Sequence, residues 1–90
     1  MWQVYIIQCA DKTLYAGITV NLKRRIWEHN NSPLGAKYTR GRRPVKLAYA
    51  KKMKNKSLAA KEEARIKKLP KRLKLNLIYD SGNRSKNFKY

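Results

Sequence analysis

Acidic residues are scarce in this chain: five Asp and Glu stand against 23 Lys and Arg, a formal net charge of +18 over 90 residues. So few carboxylates cannot comfortably supply the bridging acids of a two-metal site. The same imbalance makes any polyanion an attractive partner, with steep salt dependence. Cysteine occurs once, at Cys9, which excludes an intrachain disulfide and a thiolate metal cluster. Within a strand pattern that lone thiol reads as a small core residue rather than a nucleophile. Histidine also occurs once, so any imidazole role falls to His29. No apolar run approaches the roughly 20 residues of a membrane-spanning helix, and the first residues lack the basic-then-apolar order of a secretory signal. The expectation is a cytoplasmic protein that meets nucleic acid rather than membrane and needs no obligate protein partner.

What is present suffices for one small domain. Hydrophobic residues make up 42% of the chain, enough for a packed interior and too many for a disordered tail protein. Ninety residues allow one modest core. Trp2 to Cys9 and Leu14 to Val20 are rich in β-branched and aromatic residues, and Ala10–Thr13 between them suits a hairpin turn. If odd residues pair with odd residues across that hairpin, Tyr5 and Tyr15 share one face of the sheet. Asn21 is a good N-cap for a helix over Leu22–Asn30, on which Arg25 and His29, four residues apart, stack on one face. The stretch from Asn30 to Arg43, with Pro33, Gly35 and Gly41, reads as a loop. Val45–Lys51 alternates like a third strand, Ser57 suits the cap of a second helix reaching Leu69, and Pro70 suits the first turn of a third. The fold class expected is α+β, a three-stranded antiparallel sheet flanked by helices. The domain spans residues 1–80, and 81–90 form a polar, basic C-terminal tail expected to fray.

Two basic stretches stand out. Lys37-Tyr38-Thr39-Arg40-Gly41-Arg42-Arg43 interleaves an aromatic with cations, and Lys51–Lys56 adds four lysines. Such stretches hold phosphates, and Tyr38 offers a ring for an unpaired base. Contacts of this kind position a strand without reading its sequence. Arg24, turned about 100° from Arg25, is expected to meet flanking phosphate or solvent. Gly17 permits close approach of backbone or substrate beside Tyr15.

Tyr5 in its Val-Tyr-Ile strand, Tyr15-Ala16-Gly17, Leu22-Lys23-Arg24-Arg25 with His29, and Glu63-Ala64-Arg65-Ile66-Lys67-Lys68-Leu69 together resemble the GIY-YIG nuclease superfamily, and more narrowly its small stand-alone bacterial members. Gly35–Arg40 resembles a loop of that subgroup. The likeness runs from about Trp2 to Ile78. Gln3-Val4-Tyr5 replaces Gly-Ile-Tyr in the first signature, and Ala16 replaces the isoleucine of the second; neither change removes a group that does chemistry.

The resemblance implies a compact α+β domain that cleaves a nucleic-acid strand with a divalent metal, one Mg²⁺ or Mn²⁺, with DNA expected before RNA. It implies a site of Tyr5, Tyr15, Arg25, His29 and Glu63, with Glu63 as metal ligand. Flanking contacts are expected from Gly17, Arg24, Lys37, Tyr38, Arg40, Arg42 and Arg43. The chemistry is consistent: charge grows on the phosphodiester oxygens in the transition state, where a metal and a guanidinium stabilise it. A phenol, ordinarily titrating near pH 10, takes part in proton transfer from water only where neighbouring cations favour its ionised form. Which tyrosine serves is left open by the sequence. Helical spacing does not choose between Glu62 and Glu63 either; the resemblance selects Glu63, with Glu62 read as a rim partner for Arg65. A second reading keeps the scaffold as a nucleic-acid-binding module with little activity.

Overall fold

A computed structural model describes residues 1–32 and 37–80. Three antiparallel strands, β1 (Trp2–Gln8), β2 (Leu14–Thr19) and β3 (Lys46–Met53), form one sheet in the order β2-β1-β3. The helices are α1 (Leu22–Asn31), α2 (Lys37–Arg40), α3 (Lys56–Lys68) and α4 (Lys71–Asp80). The expected α+β architecture is therefore present. No helix among the described residues is long and apolar enough to cross a membrane.

The central strand explains the layering. Val4-Tyr5-Ile6-Ile7 is buried along its whole length, because β1 is covered on both faces and needs no polar side. Its odd residues Tyr5 and Ile7 pack with Cys9, Leu22, Ile26 and Val45 on the side of α1. Its even residues Val4 and Ile6 pack with Ala16, Tyr49 and Ile66, joined by Leu77 and Ile78, on the side of α3 and α4. Each fully buried aliphatic side chain contributes about 1.5–3 kcal/mol. Cys9 belongs to this core, and burial pushes its thiol up, which fits a packing role.

The hairpin register pairs Gln3 with Thr19, Tyr5 with Gly17 and Ile7 with Tyr15, the odd-to-odd pairing that brings the two tyrosines to one face. Its turn is closed by Asp11, whose carboxylate accepts from the Thr13 amide at 3.1 Å and hydroxyl at 2.6 Å. Lys12 takes a left-handed φ of 70° there, a conformation costly for a side chain with a Cβ. On the other side of β1 the register slips by one between Ile6 and Ile7. This bulge lets Leu47 face the α1 side and Tyr49 the α3 side, although the two are an even number of residues apart.

Asn21 caps α1 as expected, its side chain accepting from the Arg24 amide at 3.1 Å. The helix stops where Ser32 turns extended, the conformation required of a residue preceding proline. Four elements differ from the sequence expectation. The stretch read as a loop contains α2. The third strand starts one residue later and ends two later than expected, and Val45 is instead pinned by Asn30, whose side chain exchanges two hydrogen bonds with its backbone. Asn55, not Ser57, caps α3, accepting from the Leu58 amide at 2.9 Å. Pro70 precedes α4, its carbonyl accepting from Leu73 and Lys74.

Candidate active site

The odd face of the sheet carries the polar chemistry. Tyr5 is buried, and its hydroxyl lies 2.8 Å from His29 Nε2. The Arg25 guanidinium acts on the same phenol as a neighbouring cation, opposing the effect of burial. The register makes this possible: a Cβ on Gly17 would sit 2.5 Å from the Tyr5 hydroxyl and 2.7 Å from its ring. Gly17, expected to leave room beside Tyr15, thus leaves room for the ring of its cross-strand partner Tyr5. Tyr15, half-buried, packs edge-on against the same imidazole with centroids 5.5 Å apart.

His29 is fully buried, and burial lowers its pKa to about 4 with help from the Arg25 charge. At neutral pH it is therefore an uncharged imidazole, one nitrogen donating and the other accepting. Its Nδ1 lies 3.0 Å from Thr39 Oγ1 on α2. This makes a hydrogen-bonded run from phenol to imidazole to hydroxyl, with the Arg25 charge acting on the phenol. Burial pushes Tyr5 up to about 12, so the proton rests on the phenol by a wide margin. Of the two phenols, the half-buried Tyr15 is the one nearer to solvent.

Arg25 has an acidic neighbour that helical spacing placed beside this face. Glu28 accepts from Arg25 at 2.9 Å and from Arg24 at 3.2 Å, and chiefly the Arg25 bond holds its carboxyl below the usual range. Arg24 lies on the solvent side of α1, as expected, with its side chain 72% exposed.

The basic loop divides into two uses. Tyr38 stacks on Tyr15 at 5.6 Å, and the Arg42 guanidinium lies 4.1 Å from its ring centre, so much of the ring expected to receive a base is engaged within the protein. Arg42 also donates to the Tyr38 carbonyl and pairs with Asp11 at 3.0 Å, fastening α2 to the hairpin turn. Arg43 donates to the carbonyls of His29 and Ser32, satisfying the C-terminal end of α1. Arg42 and Arg43, expected to hold phosphate, are thus largely given to structure. Lys37 and Arg40 are exposed. Gly35 and Ala36, part of the resembling loop, lie outside the described residues.

The two candidate carboxylates separate. Glu62 makes two hydrogen bonds of 2.8 Å to Arg65, the rim pairing expected of it. Glu63 pairs with Lys67 at 3.4 Å, and its charge is felt by Tyr5; Lys67 in turn stands 6.0 Å from the Tyr15 ring centre. Glu63 thus lies within electrostatic reach of Tyr5. Among the described residues no three His, Cys, Asp or Glu gather into a metal-holding group. A lone carboxylate among oxygen donors suits a hard cation that keeps most of its waters, and does not suit a fully protein-ligated metal.

Sequence reasoning missed Thr39, although it stands within the quoted loop; a hydroxyl buried at 0% exposure is recognisable only once His29 is seen against it. It also missed that Glu28 joins both arginines, which the i+3 and i+4 spacings permit.

The chain is similar to known proteins. The GIY-YIG catalytic domain family matches residues 1–76. A UPF0213 protein of Desulfotalea psychrophila is 54% identical over 77 residues, covering 86% of this chain and 70% of the relative. A UPF0213 protein of Syntrophus aciditrophicus is 49% identical, covering 90% and 93%. The solution NMR structure of a UPF0213 protein from Bacillus halodurans superposes with a TM-score of 0.59 at 40% identity, covering 91% of this chain and 87% of that one. With the family matching nearly the whole described domain, the chain belongs to the GIY-YIG family, alongside the small proteins to which it is similar.

Proposed function

We propose that this protein is a cytoplasmic, divalent-cation-dependent endonuclease that hydrolyses phosphodiester bonds of DNA, selecting its substrate by structure rather than by sequence. The observation that carries this reading is the buried Tyr5 hydroxyl, bonded to His29 and under the Arg25 charge, with the half-buried Tyr15 packed on the same imidazole. So many polar groups are brought together on one face of a small core at a cost in desolvation, which membership of a nuclease family accounts for.

Each residue has a task that its surroundings support. Arg25 is charged and held in place by Glu28, its side chain 26% exposed. It binds the scissile phosphate and meets the charge that grows there. Glu28 holds Arg25, and His29 holds Tyr5. Tyr15 orients the attacking water. Glu63 would hold one Mg²⁺ or Mn²⁺, which when bound supplies Lewis acidity toward the phosphate and lowers the pKa of water. Lys67, whose exposed side chain pairs with Glu63 at 3.4 Å, would yield that carboxylate to the cation. Lys37 and Arg40 add phosphate contacts outside the site.

The test is cleavage of labelled single-stranded, duplex and branched DNA, with Mg²⁺ or Mn²⁺ and with chelator, by the native protein and by Glu63→Ala. Cleavage confined to the native protein with metal is expected. Cleavage that persists in chelator or in the variant would remove Glu63 from the site. Absence of all cleavage, with salt-sensitive binding intact, would make the protein a binding module on this scaffold.

A further inference from the structure

The outer flank of α1 carries a feature that the site does not use. Trp27 is 59% exposed, and an indole is a costly group to leave in water when a stripe of the same helix is buried. Two residues after Arg25, it lies about 160° around the helix from it. Its neighbours at i−4 and i−3 are Lys23 and Arg24, both exposed. Arg24 makes one bond to Glu28 and keeps 72% of its side chain in solvent. An exposed indole beside two cations, on a chain of charge +18, is complementary to an unpaired nucleic-acid segment: a flat ring for a base and positive charge for the adjoining phosphates.

We propose that Trp27, with Lys23 and Arg24, binds an unpaired segment of the substrate by stacking a base on the indole. Arg25 faces the strand to be cut on the opposite flank. The two flanks lie roughly 10 Å apart, the width of a helix, so one continuous duplex running along the Arg25 side does not occupy both. The preferred substrate is accordingly nucleic acid with an unpaired arm adjoining the cleaved strand. The inference rests on the nuclease reading only for what lies at Arg25.

Binding in chelator separates it from cleavage. In a Trp2→Phe background Trp27 is the only tryptophan, and its emission is followed while three probes are added: a single-stranded oligonucleotide, a blunt duplex, and that duplex with an unpaired arm. Quenching by the first and third is expected. Trp27→Ala should weaken their binding about tenfold, within the range of one base–aromatic stack, and leave the blunt duplex within twofold. Trp27→Phe should recover most of the loss. Lys23→Gln should reduce the slope of log affinity against log salt by about 0.7. No quenching, or an equal loss on all three probes, would overturn the proposal. So would a Trp27 emission that shifts with protein concentration alone, since a second copy would then cover the indole. Cleavage by the native protein without any Trp27 dependence removes this inference and spares the nuclease reading. Trp27-dependent binding without cleavage does the reverse.

Discussion

On one side of β1, Val4 and Ile6 meet Ala16, Tyr49 and Ile66 in a layer joined by aliphatic residues of α4. On the other, Tyr5 shares its core with Leu22 and Ile26, yet its hydroxyl opens a run of polar groups through His29 to Thr39. The two layers are one residue apart along the strand. The period of two in a strand is what allows a ninety-residue protein to keep a purely structural layer and a chemical one without a second domain. The comparison teaches where tolerance lies: the aliphatic layer of Val4, Ile6 and Ile66 can change shape at a cost in packing, whereas the α1 side couples stability to protonation.

The largest expected effect lies on the apolar side. Ile66 is fully buried between α3 and the sheet, and Ile66→Ala should cost about 3 kcal/mol in urea unfolding. The α1 side should respond to pH instead. His29 titrates near 6.5 when unfolded and near 4 when folded, so between those values the unfolded chain binds the proton more readily. The share of stability owed to the neutral imidazole, on the order of 3 kcal/mol, is complete above pH 6.5 and is lost as pH falls toward 4. As the chain's one histidine, its NMR titration is unambiguous; a midpoint near 6.5 in the folded protein would break the contrast between the layers.

A smaller effect concerns the tautomer. Thr39→Val leaves the buried His29 Nδ1 without that hydroxyl and should cost about 2 kcal/mol, with slower cleavage per folded molecule. Thr39→Ser should restore both, and a Val variant that cleaves at the native rate would make Thr39 a packing residue only. The smallest effect is at the hairpin, where Lys12→Gly relieves a left-handed backbone and should stabilise by about 1 kcal/mol, raising the urea midpoint without altering cleavage.

Local pattern carried much of this. The composition of Trp2–Cys9 and Leu14–Val20, with a short turn between them, was enough to place a hairpin but left its register conditional on odd residues pairing with odd, which the Tyr5–Gly17 pair fulfils; Asn21 announced α1. What escaped depended on tertiary context. Four residues of α2 are too few for a helical period, and the bulge opposite Ile6 leaves no mark on the alternation of β3. Asn55 and Ser57 are both good caps, so the start of α3 was ambiguous by two residues. Arg42 and Arg43 read as phosphate ligands because a guanidinium looks the same in sequence whether it meets a phosphate or the carbonyls at the end of a helix. Glu62 and Glu63, adjacent on one helix, were not parted by helical spacing; the resemblance selected Glu63, and the structure shows Glu62 paired with Arg65.

The most direct measurement is the single-turnover rate of cleavage of a branched DNA, per folded molecule, for Arg25→Ala beside Ile66→Val, both with saturating Mg²⁺. Arg25→Ala should lose at least about 100-fold, the scale of one transition-state donor, while Ile66→Val, which trims only the apolar layer, stays near the native rate. A rate for Arg25→Ala equal to that of the native protein would contradict the assignment of chemistry to the Tyr5 face.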